Sequence, residues 1–366
     1  MKKVSSRFSL FLLAVLLIGI SGFFMACEGP AGPAGTNGTN GNATCGACHS
    51  NTAADFNLKW TQFELSLHNT GTIYESESGN LGCDGCHTSE GFIEAASLGV
   101  NDAVSQGTGK LTCRTCHNIH TKYDSTDFSR RVADTLMLTL RQYGPATVAP
   151  INQHEGTICA KCHQARSFVR TVPDTIKPNG TATYSRFGPH YGVVANVVTM
   201  NGPYPISGNE AGTNPHALLP KGCVTCHMGK DTTNPAVGGH SFKLPFANLS
   251  KLSTISTCTS TGCHNAATIQ SQTNAKQVAK DLATYRGLLM KKNMLDTTQT
   301  VNADGTYNIL GEYPATPGGK LVVYQNKEDV DVLLNYLYLA KDRSNGVHNM
   351  PYVQALIKNA LAYLNQ

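Results

Sequence analysis

The spacing of the cysteines constrains this chain more than any other feature of its sequence. Of 13 cysteines, 12 fall into six pairs, and a histidine directly follows the second cysteine of every pair. Five pairs read Cys-x-x-Cys-His, and they are Cys45, Cys48 and His49; Cys83, Cys86 and His87; Cys113, Cys116 and His117; Cys159, Cys162 and His163; and Cys223, Cys226 and His227. The sixth group, Cys258, Cys263 and His264, has a wider gap between its cysteines.

Cys-x-x-Cys-His is the signature of covalent haem c attachment. The two thiols add across the vinyl groups of one haem, and the following histidine ligates the iron. Zinc sites, disulfides and thioredoxin-like redox pairs also use paired cysteines, but none of them requires a histidine after every second cysteine. The motifs therefore predict six covalent haems c, attached through these twelve cysteines and ligated by the six motif histidines.

The second axial position of each iron decides what such a chain can do. A protein ligand there gives an electron carrier, whereas an open position gives a place for a substrate. Seven histidines remain outside the motifs, which is enough for six irons. The predicted second ligands are His68, His120, His190, His216, His240 and His348. The competing candidates are His154, Met200, Met228 and Met350.

The N-terminal residues have the pattern of an export signal. A charged start, an apolar run over 8–24 and a small residue before Cys27 match the regions of a signal peptide. Cys27 is the cysteine left over from the six pairs, and it resembles the lipidated cysteine of a bacterial lipobox. Residues 1–26 are therefore predicted to be a signal peptide, and the mature chain an outer-membrane lipoprotein on the periplasmic face or cell surface. A secreted protein and an uncleaved anchor are the alternatives.

Three further regions are predicted after the signal peptide. Residues 27–44 carry glycine at every third position from Gly29 to Gly41, the collagen period. This segment is interpreted as a flexible lipidated tether, with a trimerising stalk as the alternative. Residues 45–266 form the hexahaem electron-transfer region, and 267–366 a helical region that packs on it.

The predicted fold is mainly α with extensive loops, a multihaem cytochrome c fold packed around a haem array and ending in long helices. So short a chain must let neighbouring haems share protein walls. Apolar periodicity predicts helices over 55–68, 270–295, 327–342 and 351–365. The segment 300–324 is predicted to be a loop or a β-hairpin that turns at Asp304-Gly305.

The chain resembles the broad group of bacterial multihaem cytochromes c that includes the pentahaem nitrite reductases and their octahaem relatives. The similar parts are the motif series, Cys-His-x-x-His at 116–120, and Gly-Val-His-Asn before the last helix. The resemblance implies that His120 ligates a neighbouring haem. The pentahaem enzymes hold their catalytic haem through Cys-x-x-Cys-Lys, which is absent from this sequence.

The favoured function is extracytoplasmic electron transfer without catalysis, through six haems that are all or mostly ligated by two histidines. The alternative is a reductase of a small nitrogen or sulfur oxyanion with one open haem. That alternative would draw its acid groups from His154, Lys161, Arg166 and Tyr191. Expected partners are cytochromes, quinol-linked donors or extracellular electron acceptors, with the lipid holding the chain at a membrane and an oligomer possible. The formal charge is +5, but the sequence contains no basic stripe that would indicate nucleic-acid binding.

Overall fold

Short helices joined by long loops make up most of the structure, a computed structural model. It describes residues 54–132, 135–140, 147–165, 180–182, 188–204, 206–230, 234, 236–244, 258–259, 263–265, 267, 272–295, 322–324 and 327–366. Its helices are α1 (Ala54–Glu64), α2 (Leu67–Thr70), α3 (Ile73–Glu77), α4 (Leu81–His87), α5 (Ser89–Leu98), α6 (Cys113–Cys116), α7 (Thr157–Ala160), α8 (Val194–Val198), α9 (Cys223–His227), α10 (Thr273–Lys291), α11 (Lys327–Asp342) and α12 (Met350–Leu364). The mainly helical, loop-rich fold that the sequence predicts is confirmed.

Helical turns carry the regular attachment motifs that the structure describes. Both cysteines of a motif lie within α4, α6 and α9, and Cys159 lies within α7. Residues three apart share one face of a helical turn. The Cys-x-x-Cys spacing therefore presents two thiols on the same side, as attachment to one flat group requires.

The predicted first helix is interrupted. The sequence predicts one helix over 55–68, but α1 ends at Glu64 and α2 begins at Leu67. The hydroxyl of Ser66 donates to Phe63 O at 2.6 Å and accepts from the Asn69 N–H at 3.3 Å. A serine side chain that bonds the local backbone competes with a continuous helix. The apolar spacing thus predicts α1 correctly, but a single helix over 55–68 is wrong, because the helix is interrupted between Glu64 and Leu67.

The three long C-terminal helices form the largest apolar core in the described part of the chain. The predicted helices over 270–295, 327–342 and 351–365 correspond to α10, α11 and α12. Pro351 lies in the first turn of α12, where its missing N–H costs nothing, and the Asn349 side chain caps that turn. The buried residues of this core include Val278, Tyr285, Leu289, Val330, Leu333, Leu334, Leu337, Val353, Leu356 and Ile357.

Buried asparagine side chains tie the loops to these helices. Asn335 in α11 accepts a hydrogen bond from the Tyr204 N–H at 2.6 Å and donates to Tyr204 O at 2.8 Å. Asn214 donates to the carbonyls of Val198 and His348, both at 3.0 Å. Loop backbone that lacks a ladder partner must find one elsewhere when it is buried. The asparagine side chains supply these hydrogen-bond partners and join the loops to the C-terminal region.

Two small antiparallel sheets complete the architecture. β1 (Leu136–Leu140) pairs with β2 (Thr147–Ile151), and β3 (Gly180–Ala182) pairs with β4 (Val322–Tyr324). The first pair differs from the sequence prediction, which has only loops between the motifs. The predicted turn at Asp304-Gly305 lies outside the described residues, and the strand that ends this segment pairs with β3.

Several N-terminal predictions also lie outside the described residues. They are the signal peptide 1–26, the lipidated Cys27, the tether 27–44 and the whole first attachment motif, which consists of Cys45, Cys48 and His49. Haem attachment through Cys45 and Cys48 therefore stays a prediction from their spacing. Within the described ranges, no helix is long and apolar enough to cross a membrane. The division between 45–266 and 267–366 also stays a prediction.

Candidate functional site: paired histidines

Five motif histidines each lie opposite one lone histidine. The distances between ring centres are 6.1 Å for His68 and His163, 6.1 Å for His87 and His190, 6.2 Å for His117 and His240, 5.9 Å for His216 and His264, and 6.2 Å for His227 and His348. In every pair, one partner follows two cysteines and the other lies far away in the sequence. No histidine occurs in two of these five pairs.

The separation matches that of two imidazoles on opposite sides of one metal ion. With metal–nitrogen bonds of about 2 Å, such rings have their centres roughly 6 Å apart. Direct aromatic contacts also fall between about 4.5 and 7 Å. Such contacts would neither keep all five distances within 5.9–6.2 Å nor join a motif histidine to a lone one each time. The five separations therefore fit sites at which two histidines ligate one metal ion.

Backbone carbonyls fix the orientation of several of these rings. Nδ1 of His117 lies 2.7 Å from Phe128 O, and Nδ1 of His216 lies 2.7 Å from Val347 O. The corresponding Nδ1 contacts of His190 and His227 are both 3.3 Å, to the carbonyls of Tyr191 and Phe242 respectively. A carbonyl only accepts, so each Nδ1 carries the proton. Nε2 keeps its lone pair and is the nitrogen available to a metal.

The ring of His348 has a different partner. Its Nδ1 lies 2.7 Å from a carboxylate oxygen of Asp342, whose side chain is almost fully buried. The Ser344 hydroxyl donates to the other oxygen of Asp342 and accepts from the His348 backbone N–H at 3.3 Å. Burial alone would lower the pKa of His348, but the charge and hydrogen bond of Asp342 outweigh it and raise the pKa. Sequence reasoning missed Asp342 and Ser344, because no local pattern links them to the ligand that follows.

His163 lies among the other histidine pairs. Desolvation by surrounding protein atoms lowers its pKa to about 4, and the nearby imidazoles of His68, His227 and His348 contribute to the same shift. The residue nevertheless retains exposed surface. A neutral imidazole is the form in which histidine binds a metal.

Cysteines of different motifs contact one another. Sγ of Cys86 lies 3.7 Å from Lys161 O, and Sγ of Cys162 lies 3.8 Å from Cys86 O. The Cys223 side chain lies close enough to Cys159 to raise the pKa of its thiol. The fold thus brings the motif at 159–163 against both the motif at 83–87 and the motif at 223–227.

Two further motifs lie beside these three. The Cys258 side chain lies close enough to Cys226 to raise the pKa of its thiol, so the widened motif lies next to the motif at 223–227. Cys116 lies close enough to Cys159 and Cys162 to interact with them electrostatically. The spatial order is therefore 83–87, 159–163, 223–227 and 258–264, with 113–117 joining at 159–163.

The residues around the pairs fit haem c. The ten cysteines that the structure describes form no disulfide. Large exposed side chains flank lone histidines, and these are Leu67, Tyr191, Leu218 and Val347. Buried polar atoms within two motifs, Asp84 Oδ1 and Thr225 Oγ1, have no hydrogen-bond partner in the described structure. A porphyrin at each pair would cover the apolar side chains and bring polar edges of its own.

Three histidines belong to none of the five pairs. They are the motif histidine His49 and the lone histidines His120 and His154. His120 is exposed, has a left-handed backbone with φ 61°, and stacks on Tyr123 at 5.5 Å. His154 is exposed in the 3₁₀ turn His154–Gly156 with φ 51°. His49 lies outside the described residues, so the role of each as a ligand stays a prediction.

Two acid groups considered for a reductase already have partners. Lys161 is buried, and its ammonium donates to Val100 O just after α5. The ring of Tyr191 carries the Lys341 ammonium 4.6 Å from its centre. Arg166 lies outside the described residues. Lys161 and Tyr191 thus each have a protein partner, and their role as acid groups stays a prediction.

Comparison with known proteins gives one distant structural likeness. The sequence matches no family model, and no curated protein matches it. A solved structure that resembles this one is the crystal structure of the outer cell wall cytochrome OcwA, with a TM-score of 0.48 and 18% sequence identity. The likeness covers 84% of this chain and 50% of that chain. The chain thus matches about half the length of that cytochrome.

Proposed function

We propose that this chain is an exported electron-transfer protein of the multihaem cytochrome c class that holds six covalent haems. The observation that carries the proposal is the pairing of five motif histidines with five lone histidines at one common separation. When bound, each haem supplies a one-electron redox centre. A two-histidine site fills both axial positions, so it carries electrons and leaves no place for a substrate.

The proposal assigns each residue a role. The twelve motif cysteines hold the haems, and the five pairs ligate five irons. Cys45 and Cys48 hold the sixth haem, whose iron His49 ligates with His120 or His154 opposite. The widened motif belongs to the set because His264 has the same kind of partner as the regular motif histidines.

The contacts between motifs support a continuous route for electrons. Cysteines of neighbouring motifs lie close together along the series 83–87, 159–163, 223–227 and 258–264. The motif at 113–117 joins at 159–163, so Cys159, Cys162 and His163 occupy a branch point. We propose that electrons enter or leave at the ends of this series and pass through the branch.

The same proposal covers location and partners. Removal of residues 1–26 and lipidation of Cys27 would anchor the chain in the outer membrane, with 27–44 as the tether. Its partners would be other redox proteins or extracellular electron acceptors. The region 267–366 would pack on the haem-binding region, as the position of His348 opposite His227 supports.

Electron paramagnetic resonance and reactivity test the function together. The oxidised protein should show low-spin ferric haem throughout and no high-spin signal that approaches one haem per chain. After reduction, chelated ferric iron or an electrode should reoxidise it, while nitrite, hydroxylamine and sulfite should show no catalytic turnover. A full high-spin haem together with turnover of one of these compounds would establish the reductase instead.

A further inference from the structure

In one of the five histidine pairs, a carboxylate is hydrogen-bonded to a ring nitrogen. The Nδ1 atoms of His117, His190, His216 and His227 face neutral backbone carbonyls. Nδ1 of His348 instead donates to the carboxylate of Asp342 at 2.7 Å. A carboxylate that accepts a hydrogen bond from an imidazole draws its proton away and makes the other nitrogen a more basic ligand.

The position of Asp342 is unfavourable for folding alone. It is the last residue of α11, where the helix dipole is negative, and it is 4% exposed. Burying a carboxylate there is costly unless it is paired and hydrogen-bonded. His348 and Ser344 provide that pairing at its two oxygens.

Two basic residues are the neighbours of Asp342 in the sequence. The Lys341 ammonium lies over the ring of Tyr191, and Arg343 is exposed. Ser344 bonds both the carboxylate and the His348 backbone N–H, which holds the residues 342–348 in one conformation. Asp342 is therefore a fixed, buried negative charge directed at one iron ligand.

We propose that Asp342 is a positioning residue that lowers the reduction potential of the iron site formed by His227 and His348. This inference rests on the proposed function. Ferric haem carries one more positive charge than ferrous haem, so a nearby negative charge and a more basic ligand both favour the ferric form. The site lies between the motifs at 159–163 and 258–264. Asp342 therefore sets the reduction potential of one haem in the interior of the proposed electron route.

The test replaces Asp342 with asparagine in the full-length, haem-loaded protein. Asp342→Asn keeps an oxygen that can accept from His348, so the ligand should stay in place and the haem low-spin. The equilibrium constant for one-electron reduction of one haem should rise at least tenfold, which is about 59 mV in its potential. Spectroelectrochemical titration measures this shift, and electron paramagnetic resonance checks the spin state.

Three further variants separate charge from structure. Asp329→Asn removes a buried charge from the same helix, where Asp329 accepts from the Tyr363 hydroxyl at 3.0 Å, and should leave every haem potential nearly unchanged. Asp342→Glu keeps the negative charge, so the potential of this haem should stay close to the wild-type value. Ser344→Ala keeps the charge but loosens it, and should raise the same haem's potential by less than Asp342→Asn does.

The outcomes are distinct from those that test the proposed function. Wild-type protein without low-spin haems would refute the proposed function itself. Low-spin wild-type protein whose potentials are unaffected by Asp342→Asn would overturn this inference alone. If Asp342→Asn instead loses haem or fails to fold, the titration of Ser344→Ala decides, and an unchanged potential there also overturns the inference.

Discussion

The ring of His264, which ends the widened attachment motif, lies 5.9 Å from the ring of His216. The four regular motifs that the structure describes place their histidines 6.1 or 6.2 Å from a lone histidine. The wider gap between Cys258 and Cys263 therefore does not disturb the position of the histidine that follows. The backbone N–H of His264 donates to Cys258 O at 3.1 Å, which joins the two ends of the motif.

The widened motif should hold one haem. Intact mass of the wild-type protein should show six haem increments. Replacing both Cys258 and Cys263 with serine should leave five, because no thioether can form there. Cys27→Ser is the matched control, since it removes a cysteine outside every motif and should keep all six. Six increments in the double variant would show that these cysteines hold no haem.

His348 should be an iron ligand that also secures the C-terminal helices. His348→Ala should convert one haem to high spin, because His227 would remain as its one protein ligand. The loop between α11 and α12 should become more susceptible to protease, since metal ligation couples local folding to the iron. Val347→Ala changes the adjacent exposed residue and should do neither. A fully low-spin His348→Ala protein would remove His348 from the ligand set.

The sixth iron should be ligated by one of the two histidines that the pairs leave over. His120→Ala and His154→Ala should therefore differ, with one of them giving a high-spin haem and the other a wild-type spectrum. Electron paramagnetic resonance of the two single variants makes the assignment. Wild-type spectra from both would show that neither residue is a required ligand.

The sequence predicts the residues of the candidate haem sites, but it does not predict which histidines lie opposite each other. Cysteine spacing predicts the attachment sites, because two thiols and a ligand must fall within one short turn. The supply of histidines predicts the lone ligands as a set, and five of them lie opposite motif histidines. Which ligand faces which motif could not be predicted, because His68 and His163 meet only through long-range folding.

The fold was predictable where periodicity is strong. Val330, Leu333, Leu334 and Leu337 recur at helical spacing along α11, and this pattern correctly predicts that they are buried. The pairing of β1 and β2 was missed, although Leu136 and Leu138 are buried and Met137 between them is exposed. Alternation over so few residues is a weak signal among loops. The interruption after Glu64 depends on one serine hydroxyl, which apolar periodicity does not report.

The angles between paired rings should appear in the spectra. The ring planes of His68 and His163 differ by 73°, and those of His216 and His264 by 65°. The other three pairs differ by 34–44°. Nearly perpendicular axial imidazoles give strongly anisotropic low-spin ferric signals, so two of the five described sites should show them. His216→Ala should remove one such signal, whereas His240→Ala should remove a more rhombic one.

The buried amide of Asn335 should contribute measurably to stability. Asn335→Ala leaves the Tyr204 N–H and carbonyl buried without their side-chain partner. The free energy of unfolding should fall by about 1–3 kcal/mol for each group left unsatisfied. Asn365→Ala, at an exposed hydrogen bond to Leu361 O, should change it by less than about 0.5 kcal/mol. Denaturant unfolding followed by circular dichroism compares the two, and equal effects would contradict the structural role.

An experimental structure of the haem-loaded protein tests the central claim most directly. The account predicts an iron atom between the rings of each of the five pairs, which are His68 with His163, His87 with His190, His117 with His240, His216 with His264, and His227 with His348. It also predicts thioether bonds from the cysteines of the corresponding motif to the haem at each iron. Irons ligated by different combinations of these histidines, or a pair whose rings touch with no iron between them, would contradict it.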